Sequence, residues 1–245
     1  MPPFQPGDTI RLRLDGDATE RVYAIVRPFL PFTKSVVVLA RDVEECGEVV
    51  IKVYDPRFLG ERARRRQGGR RRGGVGELEL HQEEENVEWD AETAVLWEEY
   101  FYRTCMASFR DETRAYEQLS ALQGSAIPRL LARGVVVDTD YRRAISCPAI
   151  VLEYLDGVAM QDAQDAIVDG ARDAWIQLAR TVERLRELEI VHSDINEGNI
   201  LLCPAVAPCR AVLIDFGMAR SGRCRSDVGR LEALLRRKGI CIISS

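Results

Sequence analysis

Three side chains with oxygen donors stand at spacings that suit group transfer. Asp194 and Asn199 lie five residues apart in "VHSDINEGNILL", and Asp215 comes later in "VLIDFGMAR". An aspartate in a tight loop after a helix can take the proton of an attacking hydroxyl. An asparagine five residues on can reach back to a metal ion held near the same phosphates. Asp215, between an apolar run and the Phe216-Gly217 turn, can give its carboxylate to the same or a neighbouring Mg²⁺. One base and two oxygen ligands would then converge on one site, and His192 is expected to pack the loop through its ring and a backbone hydrogen bond.

Such loops work only if regular elements fix their ends. Before the first lies "DAQDAIVDGARDAWIQLARTVERLRELEI", where Trp175, Leu178, Ala179, Val182, Leu185 and Leu188 form the apolar stripe of a long amphipathic helix. The short strands "NILLC" and "AVLIDF" come next, then a helix over "DVGRLEALLRRKG" with Leu231, Leu234 and Leu235 turned inward. The first half reads as strands: "RVYAIVRPF", "SVVVLARDV" and "EVVIKVYD", then "GVVVDTD" and "CPAIVLEYL". Between the two groups, residues 91–123 read as helix, with Leu96, Tyr100 and Cys105 on one face of one segment and Tyr116, Leu119 and Leu122 on that of the next. The order is a β-rich lobe of about five strands, then an α-rich lobe.

A chain of 245 residues with 46% hydrophobic and 30% charged residues has the make-up of a globular protein able to bury a core. No apolar run approaches the roughly 20 residues of a bilayer-spanning helix, and the start lacks a secretory pattern, so an intracellular protein, cytoplasmic or nuclear and with no membrane partner, is expected. Seven scattered cysteines without a CxxC pair, and two histidines far apart, do not make a zinc site; reduced, mostly buried thiols are expected. The net charge of -5 argues against a nucleic-acid partner. The exception is "RARRRQGGRRRGG", Arg62 to Gly74, inside a charged stretch over residues 60–90 that reads as a mobile insertion.

Taken together, in order and with their apolar flanks, "HSDINEGN" and "IDFG" resemble the catalytic loop and the metal-binding turn of the protein kinase-like superfamily. The resemblance implies an α+β, two-lobed fold: an antiparallel β-rich N-lobe over residues 1–153 and a truncated α-rich C-lobe over residues 154–245. It implies ATP and Mg²⁺ as cofactors, Asp194 as the base, and Asn199 and Asp215 as metal ligands. It further implies a strand lysine for the ATP phosphates, offered by Lys52, and a helix glutamate for that lysine. Glu112 and Glu117 are the candidates, and Glu112 is preferred because it shares a helical face with Tyr116 and Leu119. Backbone groups around Glu153, Tyr154 and Leu155 would meet the adenine edge.

Four features depart from the superfamily pattern. The turn "RPFLPFTKSV", where a glycine-rich loop is expected, holds no glycine, though Thr33, Lys34 and Ser35 can supply other donors. Ser193 stands where regulated kinases have Arg, and Asn196 where Ser/Thr kinases have Lys. Only residues 218–245 come after Gly217, so the C-lobe is expected to be minimal, with Asp227 either capping the last helix or bonding the catalytic-loop backbone. The chain is similar in this to RIO-type and aminoglycoside-phosphotransferase-like members and to compact kinase-like domains frequent among fungi. The expected function is an atypical ATP-dependent phosphotransferase moving the γ-phosphate to a hydroxyl, a protein Ser/Thr ahead of a small molecule. The alternative is a pseudokinase that binds or scaffolds without turnover.

Overall fold

The computed structural model describes residues 4–16, 19–59, 91–137 and 145–240, with the backbone alone at 91–94. The Arg62–Gly74 run and the rest of the expected insertion lie outside the described residues, as does Cys241. The strands of the first half are Thr9–Leu14 (β1), Glu20–Pro28 (β2), Val36–Asp42 (β3), Glu48–Val53 (β4), Leu130–Val136 (β5) and Pro148–Glu153 (β6). They close into an antiparallel barrel in the order β1-β2-β3-β4-β6-β5. Period-two patterning explains the closure: alternate residues such as Ile10, Leu12, Val36, Val38, Ile51 and Val151 turn inward to fill one core. Gly134 permits the seam, because a Cβ there would stand 2.3 Å from the Arg13 carbonyl oxygen of β1.

A barrel of six strands replaces the sheet of about five that the sequence suggests, and the added strand is β1. Helix α1, Ala91–Gln118, comes after the barrel's first four strands and is continued by a 3₁₀ turn at Ser120–Leu122. Phe101, Cys105, Ala115, Tyr116 and Leu119 are its buried face. Leu96 and Tyr100, expected to point inward, are 65% and 45% exposed. Apolar residues occupy Val95, Leu96, Trp97, Tyr100 and Phe101, so more than one face of that segment looks like a stripe, and packing selects the Phe101 side.

The second half begins with the short strand Val158–Ala159 (β7). The long helix expected before the catalytic loop is two helices, Asp165–Gly170 (α2) and Arg172–Glu187 (α3), parted at Ala171. Trp175, Leu178, Val182 and Leu185 of α3 are buried, and the Trp175 indole N–H donates to the Val168 carbonyl at 2.8 Å. Strands Ile190–Val191 (β8), Ile200–Cys203 (β9), Arg210–Leu213 (β10) and Arg220–Ser221 (β11) pair as β10-β9-β7 and β11-β8. Helix α4, Ser226–Arg237, closes the described chain. A second core joins α1, α3 and α4 with Phe216, Ile200 and Leu213, so the loops that flank β8 to β10 are anchored at both ends. Cys105, Cys147 and Cys203 are buried, while Cys46, Cys209 and Cys224 are exposed, against the expectation of mostly buried thiols.

Candidate active site

The β4 register decides which side chains look out of the barrel. Lys52 faces Val37 on β3 and Ile150 on β6, whereas Val50 faces Leu39 and Leu152. Directly opposed residues share a face, so Val37, Leu39, Val50 and Leu152 form an apolar ceiling beside the Lys52 ammonium. Tyr54, two residues beyond Lys52, lies on the same side and is fully buried.

Lys52 Nζ donates to Glu112 Oε1 at 2.8 Å and Oε2 at 2.6 Å, and to Asp215 Oδ1 at 3.0 Å. Tyr54 Oη donates to Glu112 Oε2 at 2.5 Å. Burial works against the Lys52 charge, but the carboxylates of Asp215 and Glu112 outweigh it and hold the ammonium above its ordinary range. Burial pushes the Glu112 carboxyl up, with Lys52 pulling it back. The Lys52 ammonium holds Asp215 down at about 2, so that carboxylate is ionised at neutral pH. Glu117, the other helix candidate, pairs instead with the Arg133 guanidinium on the surface.

Asp215 sits in the left-handed region at φ 64°, which an aspartate tolerates better than a branched residue. The next two residues fix its turn. Phe216 is fully buried, with its ring centroid 4.7 Å from that of His192 and 5.7 Å from that of Tyr116. Gly217 has no room for a side chain, since a Cβ would meet Ser108 Oγ of α1 at 2.4 Å. The close packing of α1 on this turn therefore requires glycine there.

The catalytic-loop residues are held from beneath. Ser193 adopts φ 68°, and Asp227 of α4 accepts the His192 N–H at 2.6 Å and the Ser193 N–H at 3.2 Å. Of the two roles open to Asp227 from sequence, the structure shows the bond to this loop. The buried His192 ring lies with Nε2 3.1 Å from the Ile214 carbonyl and Nδ1 accepting from the Asp194 N–H at 3.3 Å. Those partners specify a neutral ring with its proton on Nε2, and burial lowers its proton affinity in the same sense.

Asp194 is half-buried at the loop's tip. Its backbone carbonyl accepts from Asn199 Nδ2 at 2.9 Å, which ties the asparagine to the aspartate and leaves the amide oxygen of Asn199 for a cation. Asn196 Nδ2 donates to Asp194 Oδ1 at 3.1 Å. The other carboxylate oxygen, Oδ2, receives Lys34 Nζ at 3.2 Å. Lys34 comes from the loop between β2 and β3, and sequence offered it only as one of three donors in that loop. The site thus contains two contributors that motif reading passes over, Tyr54 and Lys34. Strand alternation from Lys52 marks the tyrosine; no local pattern marks a loop lysine that meets its partner 160 residues on.

Glu153, Tyr154 and Leu155 lie at the end of β6. Register puts the Glu153 side chain with Val151, on the barrel side, where its Oε2 lies 3.9 Å from Arg129 Nε. Tyr154 and Leu155 follow β6, and among the described residues neither makes a backbone–backbone hydrogen bond. Among the described residues no three His, Cys, Asp or Glu side chains gather as a metal cluster. The oxygen donors at hand are the ionised Asp215 and the Asn199 amide, the hard ligands that Mg²⁺ takes alongside phosphate and water.

An antiparallel β-rich half carrying a lysine–glutamate pair, above two loops with Asp194, Asn199 and Asp215, is the arrangement of the protein kinase-like superfamily. The chain belongs to the lipopolysaccharide kinase (Kdo/WaaP) family, whose pattern matches residues 62–239. That family is the particular one, where sequence leaned toward RIO-type and aminoglycoside-phosphotransferase-like members. Two similar curated proteins come from strains of Haemophilus influenzae, 86-028NP and ATCC 51907, and each is a 3-deoxy-D-manno-octulosonic acid kinase. Identity is 34% and 31% over 67 residues, which span 27% of this chain and 27% of each relative. No helix among the described residues is long and apolar enough to cross a membrane.

Proposed function

We propose that this protein is an ATP-dependent sugar kinase that moves the γ-phosphate to a hydroxyl of a lipopolysaccharide-type sugar. The observation that carries the reading is the ion triad of Lys52, Glu112 and Asp215, closed at 2.6–3.0 Å beside the Asp194–Asn199 loop. Family membership and the two relatives' acceptor support a sugar hydroxyl in place of the protein Ser/Thr that sequence put first.

In this reading Lys52 clamps the α and β phosphates, and Glu112 with Tyr54 fixes its position. The adenine lies under the apolar ceiling, with its edge on the backbone at Tyr154 and Leu155. Asp215 and Asn199 hold Mg²⁺, which when bound shields the phosphate charge. Asp194 orients the acceptor hydroxyl; the new oxygen–phosphorus bond forms as the bond to the β-phosphate oxygen breaks, and the hydroxyl proton passes to Asp194. Lys34 neutralises Asp194 in the free protein and turns to the transferring phosphate in the complex.

Thermal unfolding with Mg·ATP tests this. At a hundred times its dissociation constant a ligand adds about 2.7 kcal/mol to the folded state. For a domain of this size that is a rise of about 5–11 °C in Tm. Wild type should show it, and Lys52→Ala and Asp215→Ala should not. An unshifted wild type would replace the reading with a pseudokinase. A shifted wild type that transfers no phosphate to 3-deoxy-D-manno-octulosonic acid would remove the acceptor assignment alone.

A further inference from the structure

Beside the catalytic loop lies a cavity that the phosphate-transfer site does not use. It is a shallow groove, open to solvent, with a volume of about 530 Å³. Ile195 and Asn196 form one wall, immediately after Asp194, and Arg230, Arg236 and Arg237 of α4 form the other. Helical spacing explains the second wall: residues 230, 233 and 237 share one face, while Leu231, Leu234 and Leu235 anchor the helix in the core.

Its charge is unbalanced. Among the described residues none of these arginines has a carboxylate partner; Arg230 Nη1 donates to the Ser193 carbonyl, and no ion pair involves Arg236 or Arg237. Of the loop's carboxylates, Asp194 is paired with Lys34 and Glu197 with Lys238, each at 3.2 Å, and the second pair also ties the end of α4 to the catalytic loop. The carbonyl end of α4 would repel an anion, but it is closed by its own backbone: Lys238 N–H donates to Leu234 and Leu235, and Gly239 N–H to Arg236. Arginines line the cavity beside the apolar Ile195, Ala233 and Leu234, and guanidinium is the group whose fork fits carboxylate and phosphate oxygens in pairs.

Asn196 links this cavity to the chemistry. It lines the wall, and its Nδ2 donates both to the Asp194 carbonyl at 3.0 Å and to Asp194 Oδ1 at 3.1 Å. A ligand seated against Asn196 lies within one side chain of the proposed base. We propose that this cavity binds the anionic group of the sugar acceptor, a carboxylate or a phosphate, with Arg236 and Arg237 as its cationic wall and Asn196 as the link to Asp194. The inference rests on the sugar-kinase reading and adds the acceptor's charge to it. It also accounts for Asn196 in place of a lysine: the arginines of α4 across the groove supply the charge, and the amide carries the contact to Asp194.

The test is direct titration calorimetry without nucleotide, so that it does not depend on turnover. The probes are 3-deoxy-D-manno-octulosonic acid, its methyl ester and mannose 6-phosphate. The variant is Arg236→Gln/Arg237→Gln, which leaves the Arg230–Ser193 contact in place. Wild type should bind at least one anionic probe, more weakly as salt rises. The double variant should lose at least tenfold in affinity, the worth of one charge-assisted bond. The ester should bind both proteins as weakly as the variant binds the acid, and the Mg·ATP thermal shift of the variant should equal that of wild type. Binding of the acid alone assigns a carboxylate, and binding of the phosphate alone assigns a phosphate. The proposal is overturned by a wild type that binds neither anion, by a variant of unchanged affinity, or, where the acid binds, by an ester that binds as tightly. Arginine-dependent binding of the acid in a protein that shows no Mg·ATP shift would support the anion site while removing the kinase reading.

Discussion

Replacing Lys52 by Met keeps an unbranched stem and removes an ammonium bonded to three carboxylate oxygens at 2.6, 2.8 and 3.0 Å. Glu112 has no exposed surface, so the variant leaves a carboxylate in the interior without its cation. Breaking a buried pair in this way costs about 3–5 kcal/mol. Glu112 has one escape: burial already raises its proton affinity, and loss of Lys52 raises it further. The variant's Glu112 therefore takes a proton on folding while the unfolded chain gives it up above about pH 4.3. A group whose folded value is raised contributes stability below its unfolded value and loses it as pH rises through the folded one. The deficit should thus be smallest near pH 4 and grow toward pH 8. Lys52→Met/Glu112→Gln, which leaves Asp215 as the one carboxylate of the triad, should recover about 1–3 kcal/mol of the single variant's loss at pH 7. Urea unfolding monitored by tryptophan fluorescence at pH 5, 7 and 8 measures all three proteins. A single variant within about 0.5 kcal/mol of wild type, or a deficit that does not grow with pH, would show that the triad is not the buried, closed pair on which the site depends.

Acid should weaken the protein in two windows. His192 is neutral in the fold, so stability is full above the unfolded value of about 6.5 and declines as pH falls below it; an imidazole that titrates normally by NMR would contradict this. Asp215, held at about 2, contributes stability above the ordinary carboxylate value that is lost as pH falls through the folded one. Gly217→Ala should cost about 1–3 kcal/mol by overpacking against Ser108, and Ser108→Ala in the same chain should restore most of it; equal loss in single and double variants would refute the steric account. Lys34→Met should lower the affinity for Mg·ATP about tenfold and bring it close to that for Mg·ADP, whereas a structural role alone would weaken both alike.

Legibility in the sequence tracked the locality of the cause. The superfamily resemblance implied a pair between Lys52 and a helix glutamate, and the helical period preferred Glu112 to Glu117; strand alternation two residues beyond Lys52 marks Tyr54 by the same kind of rule. Asp194, Asn199 and Asp215 were readable because short turns fix their spacing. The barrel was not: β1 shows clear alternation at Ile10, Leu12 and Leu14, yet its pairing with β5 depends on Gly134 letting two backbones touch. The face of α1 was half legible, since an aromatic-rich segment offers several stripes and only tertiary packing selects Phe101 over Leu96 and Tyr100. The pairing of Lys34 with Asp194 and the grouping of the α4 arginines lay beyond reach, because a charge becomes meaningful only when the fold brings it to a partner far away in the chain.

The loop between β2 and β3 shows how the site can do without glycine. A glycine-rich loop approaches phosphates with backbone N–H groups, which demands small residues and tolerates mobility. Here Phe32 packs in an aromatic trio with Phe4 and Phe58, at centroid distances of 6.3 and 6.0 Å, and Cys105 Sγ of α1 lies 3.8 Å from the Lys34 carbonyl. Both contacts pin the loop to the barrel and to the helix that carries Glu112. A pinned backbone cannot wrap a phosphate, but it can aim a long cationic side chain, and Lys34 is aimed at Asp194. If phosphate contact is by that side chain, binding should respond to its charge and not to loop flexibility: Lys34→Arg should keep most of the Mg·ATP shift that Lys34→Met loses, and glycine placed at Thr33 should add nothing.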